Sequence, residues 1–177
     1  ESIGNTMLYV HLELIETDRD RKKEYSQNET ANASMEIKAI SQMVARKYDR
    51  EEDLYVDVAD SRVKIAAEHL HKLMEEVLDN AFHFSSPGSP VHITGRLKQP
   101  DVYHLRIHDA GQGMYPEQVA NMVHMSSFDR RRFIETHTGL GWMIVRKIID
   151  LCGGRVSIQS RLGEGTLIEF EVPVDRS

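Results

Sequence analysis

Four segments of this chain, residues 91–97, 103–108, 155–160 and 167–174, alternate apolar and polar side chains. Such alternation marks half-buried strands, with one face on a core and the other in water. Residues 54–58 alternate apolar and acidic side chains in the same way, and residues 62–66 read as one more short strand. Segments of helical period lie between them. The clearest covers residues 68–84, where Leu70, Leu73, Met74, Val77, Leu78 and Ala81 share a face and a Pro/Gly/Ser-rich stretch ends the pattern. Residues 33–50 put Ile37, Ile40, Val44 and Tyr48 on one side. Residues 116–122 start on a proline suited to a first helical turn. Residues 139–152 are apolar and helical, closed by Gly153 and Gly154. From residue 33 the order is α, β, β, α, β, β, turn, α, loop, α, β, β. That order predicts an α/β two-layer sandwich, one mixed sheet covered on one face by helices.

Upstream, Ile3, Met7, Val10 and Leu14 are spaced 4-3-4, and Leu8 and Ile15 widen the stripe, as in a bundle helix. The stripe stops at Asp18, residues 18–24 have no apolar face, and the polar run 26–32 reads as a linker. Residues 1–32 are therefore expected to be a helical stub and linker, and residues 33–177 the main domain. A length of 177 fits one domain with an appendage when a domain takes about 150 residues. The net charge of −6 disfavours nonspecific binding to nucleic acid or anionic lipid, and leaves a small polyanion in a locally positive pocket open. Cys152 stands alone, which excludes an internal disulfide and predicts a reducing, cytoplasmic setting. No apolar run approaches the roughly 18 residues of a membrane span. The chain begins at Glu1 rather than Met, and is expected to be a piece of a longer protein.

Three glycine turns, Gly111-Gln-Gly113, Gly139-Leu-Gly141 and Gly163-Glu-Gly165, let backbone amides approach a ligand without Cβ interference. None continues into a P-loop, and none completes a dinucleotide fingerprint, because Pro116, Ile144 and Ile168 hold the third position. Helix 68–84 adds a polar face, with Glu76, Asn80 and His83 at i, i+4 and i+7.

Four blocks in order, Glu76-Val-Leu-Asp-Asn80, Asp109-Ala-Gly-Gln-Gly113, Thr138-Gly-Leu-Gly141 and Gly163-Glu-Gly-Thr166, resemble the nucleotide-binding boxes of the GHKL (Bergerat-fold) ATPases. The nearest likeness is to the catalytic ATP-binding domain of sensor histidine kinases, over about residues 50–174. The resemblance implies a two-component kinase domain that binds ATP and Mg²⁺ and passes the γ-phosphoryl to a histidine outside this chain. It implies as partners a dimerisation and phosphoacceptor domain, a response-regulator receiver domain and a second copy in a homodimer. It also makes the stub of residues 1–32 part of a dimerisation helix hairpin, with residues 3–24 similar to its second helix.

Residue by residue, Asn80 matches the family's Mg²⁺ ligand, and Glu76 sits where a Mg²⁺-shell residue or general base is found. Asp109 matches the carboxylate that accepts from the adenine amino group, and Gly111 and Gly113 let the chain pass close to the base. Gly139, Leu140 and Gly141 match the turn whose amides meet the phosphates. Thr166 matches an adenine contact, Phe84 lies beside the base, and His83 falls near the phosphates. Residues 123–138 look like the family's lid, with Arg130, Arg131 or Arg132 supplying a cation and Phe128 or Phe133 as the lid phenylalanine. Two departures stand out. Glu76 replaces an asparagine common in the kinases and is shared with hydrolytic members and with some kinase subfamilies. His11, the one N-terminal histidine, lacks the acidic neighbour of a phosphoacceptor. Alternatives are therefore a noncatalytic ATP-sensing module, or a GHKL serine kinase or ATPase.

Overall fold

The alternating segments assemble into one five-stranded sheet: β1 (Leu54–Val58), β2 (Val91–Gln99), β3 (Val102–Asp109), β4 (Arg155–Arg161) and β5 (Gly165–Pro173), in the order β1-β2-β3-β5-β4. The structure, a computed structural model, describes residues 2–123 and 139–174. β1 runs parallel to β2 and the other pairs are antiparallel, so the sheet is mixed as expected. Pleating buries Tyr103, Leu105, Ile107 and Asp109 of β3 and turns His104, Arg106 and His108 to the opposite, open face.

Three helices, α3 (Ala33–Lys47), α4 (Ala67–His83) and α6 (Leu140–Leu151), cover the other face. Leu73, Met74 and Leu78 of α4 and Ile144 and Ile148 of α6 join Ile93, Leu105, Ile107 and Phe170 of the sheet in one core. A short helix, α5 (Pro116–Val123), lies beside β4.

Three expectations change. Residues 62–66 form no strand; Val63 makes only single bridges, to Thr30 and to Val174. The bridge brings in the supposed linker, since Thr30 is buried and its hydroxyl donates to the Ile65 carbonyl at 2.7 Å. The N-terminal helix is broken into α1 (Ser2–Thr17) and α2 (Arg19–Tyr25), because Asp18 caps α2 by accepting from Asp20 N and Arg21 N. The apolar residues of α1 divide between two faces, with Leu8 packed against the core and Ile15 inside it. Met7, Val10 and Leu14 are exposed, whereas Tyr9, Leu12 and Ile15 are buried, with α1 packed along α6. The reason is electrostatic as well as apolar: that face brings Glu13 and Glu16 to the largely buried Lys147 ammonium of α6, 2.5 Å from Glu13.

Helix α3 ends at Lys47, three residues before the expected end. Asp49 N donates to Arg46 O and Arg50 N to Ala45 O, both at 3.0 Å, around a left-handed Asp49 (φ 53°). This is a Schellman stop with aspartate in the place glycine usually takes, and it turns Arg50 inward.

Tyr25 of α2 lies over His69 of α4, with ring centroids 5.0 Å apart. Both are buried, and neither Tyr25 Oη nor His69 Nδ1 has a hydrogen-bond partner among the described residues. Burial is the main force lowering the His69 pKa below 6.5, offset in part by Glu68, with His11 adding to the drop. The unfolded chain therefore takes up the proton first, so this contribution to stability is complete above the ordinary histidine pKa and is lost as pH falls through it. Urea midpoints of the wild type are expected to drop between about pH 7.5 and 5.5, and His69→Leu to show a shallower drop. Equal slopes in the two proteins would contradict this account of the pair.

Candidate functional site

The last two turns of α4 carry Glu76, Asn80 and His83 along one face, while Val77, Leu78, Ala81 and Phe82 hold the other face in the core. Asn80 and His83 are exposed, and the Asn80 side-chain amide hydrogen-bonds to no described residue. The His83 ring packs edge-on against Phe84 at 4.7 Å. Glu76 is different. It is largely buried, and its Oε1 takes Lys72 Nζ at 2.6 Å and Asn5 Nδ2 of α1 at 3.0 Å.

The other Glu76 oxygen, Oε2, lies 1.9 Å from where a Cβ on Gly141 would project. Glu76 and the first turn of α6 are therefore in direct contact, and a side chain at position 141 would have to displace the Glu76 carboxylate. Gly139, at the N-cap, has φ 90° and no side chain to cap the helix. Amides of an uncapped first turn, with the positive end of the helix dipole, are chemically suited to an anion such as phosphate. The Leu140 side chain is buried, so only its backbone faces that role.

At the end of β3, Asp109 is buried and its Oδ1 accepts from Gly111 N at 2.9 Å. Burial pushes its carboxyl above the ordinary carboxylate range, and the Gly111 amide pulls it back in part. No Lys or Arg among the described residues pairs with it.

Two glycine turns more than fifty residues apart nest against each other beside Asp109. A Cβ on Gly113 (φ 65°) would sit 2.0 Å from the Arg161 carbonyl oxygen, and one on Gly165 (φ 94°) 2.0 Å from the Asp109 carbonyl oxygen. Gly163 N donates to Gln112 O at 2.7 Å. On the other side, Gln112 N donates to Phe84 O at 3.0 Å, and a Cβ on Gly111 would lie 2.5 Å from that same oxygen. A cavity of about 480 Å³ opens here between His83, Phe84, Gly111 and Gly163.

Ser160 is the residue that sequence reasoning missed. Its hydroxyl donates to Gly165 O at 2.8 Å, accepts from Met114 N at 3.0 Å, and lies 2.9 Å from Thr166 Oγ1. It joins the hairpin to the glycine loop and orients Thr166, its cross-strand partner. The available signal was that register, Ser160 opposite Thr166 one pair in from a three-residue turn.

Asp109, Gly111, Gly113 and Thr166 are thus gathered at one end of the sheet, and Glu76 meets Gly141 at the start of α6. Arg130, Arg131, Arg132, Phe128, Phe133 and Thr138 lie outside the described residues. Among the described residues no group of three or more His, Cys, Asp or Glu is placed to hold a metal ion. No described helix is long and apolar enough to cross a membrane.

The profile of the family described as histidine kinase-, DNA gyrase B-, and HSP90-like ATPases matches residues 65–176, which span all these elements, and the chain belongs to that family. Among curated proteins it is 25% identical over 143 residues to the adaptive-response sensory kinase SasA of Synechococcus elongatus, covering 77% of this chain and 36% of that one. It is 27% identical over 114 residues to the sensor protein SrrB of Staphylococcus aureus, covering 60% of this chain and 18% of that one. The chain therefore spans about a third or less of the curated relatives it matches. Among solved structures, the mycobacterial sensor histidine kinase MprB superposes with a TM-score of 0.69 at 23% identity, over 84% of this chain and 97% of that one. The Acinetobacter baumannii histidine kinase AdeS gives 0.68 at 17% identity, over 98% of this chain and 77% of that one. Both carry the same fold.

Proposed function

We propose that this chain is the ATP-binding catalytic part of a two-component sensor histidine kinase. In this reading it transfers the γ-phosphoryl of ATP to a histidine outside the chain, from which a response-regulator aspartate takes it. The observation that carries the reading is the buried Asp109 carboxylate, unpaired with any described Lys or Arg and braced by Gly111 and Gly165. An acceptor-only group held by the Gly111 turn suits the amino group of adenine and rejects a base with a carbonyl there.

The remaining residues divide the work. Thr166, held by Ser160, borders the base. The first-turn amides of α6 at Gly139, Leu140 and Gly141 take the phosphates, and one of Arg130, Arg131 and Arg132 adds positive charge to the γ-phosphate. Asn80 fits a hard divalent cation, since its amide oxygen is exposed and uncommitted, and a single protein oxygen suffices for Mg²⁺ bound chiefly to phosphates and water. Mg²⁺ bound there supplies neutralisation of phosphate charge during transfer. Glu76 is committed to Lys72 and Asn5, which supports an orienting role beside Asn80 and favours transfer over hydrolysis. Transfer breaks the bond between the γ-phosphorus and its bridging oxygen, releases ADP, and forms a phosphorus–nitrogen bond on the acceptor imidazole. The partners in this reading are a dimerisation and phosphoacceptor domain, a receiver domain and a second copy of the full-length protein, in the cytoplasm.

The test is incubation with γ-labelled ATP, Mg²⁺ and a separately made dimerisation domain. Acid-labile, alkali-stable label on histidine is expected, and loss of most of it with Asn80→Ala. Tight ATP binding without label on any histidine would overturn the kinase reading in favour of a nucleotide-sensing module.

A further inference from the structure

Arg50 is an arginine that sequence reasoning placed at the end of a surface helix and that the structure puts in the interior, 5% exposed. A buried guanidinium carries a heavy desolvation cost, so its full set of partners shows what the fold uses it for. One is Asp53, 2.6 Å from Nε. The rest lie in one stretch of chain. Nη1 donates to the carbonyls of Phe82 and Ser85, both at 3.0 Å, and to Ser85 Oγ at 2.9 Å, and Nη2 donates to the Ser89 carbonyl at 2.8 Å. Asp53 Oδ2 also accepts from Gly88 N at 2.9 Å. Arg50 and Asp53 therefore grip the last turn of α4 and the turn after it at both ends, and a cation among C-terminal carbonyls complements the helix dipole.

The residue inside this grip is Phe84. Its carbonyl oxygen accepts from Gln112 N and faces Gly111 with clearance for no side chain. Gly111 N in turn binds Asp109 Oδ1. A continuous series of close contacts thus runs from Arg50 through Phe82 and Ser85 to Phe84, then Gly111, then the Asp109 carboxylate. Close-packed contacts of this kind pass on a displacement instead of absorbing it.

We propose that Arg50 is a positioning residue for nucleotide recognition: by fixing the chain on either side of the Phe84 carbonyl, it sets the place of Gly111 and of the Asp109 carboxylate against the base. The role rests on the reading of Asp109 as the adenine acceptor. It is a role in selecting the base and leaves the phosphates to α6.

The test compares ATP with inosine triphosphate, which carries the same phosphates but a carbonyl in place of the adenine amino group. Dissociation constants are measured by titration for the wild type and Arg50→Lys, with circular dichroism confirming that each is folded. Arg50→Lys is expected to weaken ATP about tenfold and inosine triphosphate by no more than about twofold, so that discrimination falls about fivefold. A merely structural Arg50 would weaken both alike, and equal losses, or none, would overturn the proposal. If Arg50→Lys does not fold, Asp53→Asn, which leaves Arg50 but loosens the grip, decides by the same ratio with an expected drop of about threefold. A wild type that binds neither nucleotide would instead overturn the nucleotide reading itself, and this inference with it.

Discussion

Gly165→Ala is expected to destabilise the fold by about 3 kcal/mol or more, whereas Gly163→Ala, two residues away, costs only about 1 kcal/mol. Both glycines have positive φ, 94° and 79°, so both alanines carry the left-handed penalty. Only at Gly165 does the new Cβ meet backbone, 2.0 Å from the carbonyl oxygen of Asp109, while at Gly163 nothing lies within 4 Å. The Asp109 carbonyl cannot retreat, because Asp109 is paired on both sides, with Val91 of β2 and Thr166 of β5. Relief has to come from parting the hairpin from the central strand. Urea unfolding of the two variants provides the check. Equal losses would mean that the two glycine turns do not nest as described.

Asp109→Asn is expected to separate stability from function. The amide keeps an oxygen for Gly111 N, so the turn survives. At neutral pH the variant no longer buries an ionised carboxylate, whose pKa the fold raises mainly by desolvation. Because the folded pKa lies above the unfolded one, the wild type loses stability as pH rises from the ordinary carboxylate value through the raised one. The unfolding midpoint of Asp109→Asn at neutral pH is therefore expected to equal or exceed that of the wild type. ATP affinity is expected to fall about a hundredfold, since an amide N–H then confronts the adenine amino group and a charge-assisted hydrogen bond is lost. A variant that is destabilised and binds ATP normally would show that Asp109 serves the fold alone.

The sheet and α4 were legible because each strand and that helix bury one face only, and a single period in the sequence reports it. Helix α1 was not legible in the same way. It is apolar on two sides, and the stripe with more obvious spacing, Met7, Val10 and Leu14, is the exposed one. What selects the other side is Lys147, more than 130 residues away, and no local pattern records such a partner. Residues 62–66 show the converse failure: alternation without a neighbour to pair along its length, leaving Val63 with two single bridges. At the site, the glycine turns announced themselves by composition, but their nesting did not. Gly113 requires glycine because of the Arg161 backbone, and Gly141 lets the Glu76 carboxylate close on α6. Arg50 was hidden by a helix stop at Asp49, where aspartate takes the left-handed conformation usually signalled by glycine.

The central claim is that ATP binds between the end of α4, the Asp109 loop and the start of α6. The most direct measurement is a titration of ¹⁵N-labelled protein with ATP and Mg²⁺, followed by amide chemical shifts. The predicted result is saturable shifts concentrated at Asn80, Gly111, Gly113, Gly139, Gly141 and Thr166, with the open-face positions Arg96 and Arg106 unmoved. No saturable shifts, or shifts centred on the open face of the sheet, would contradict it.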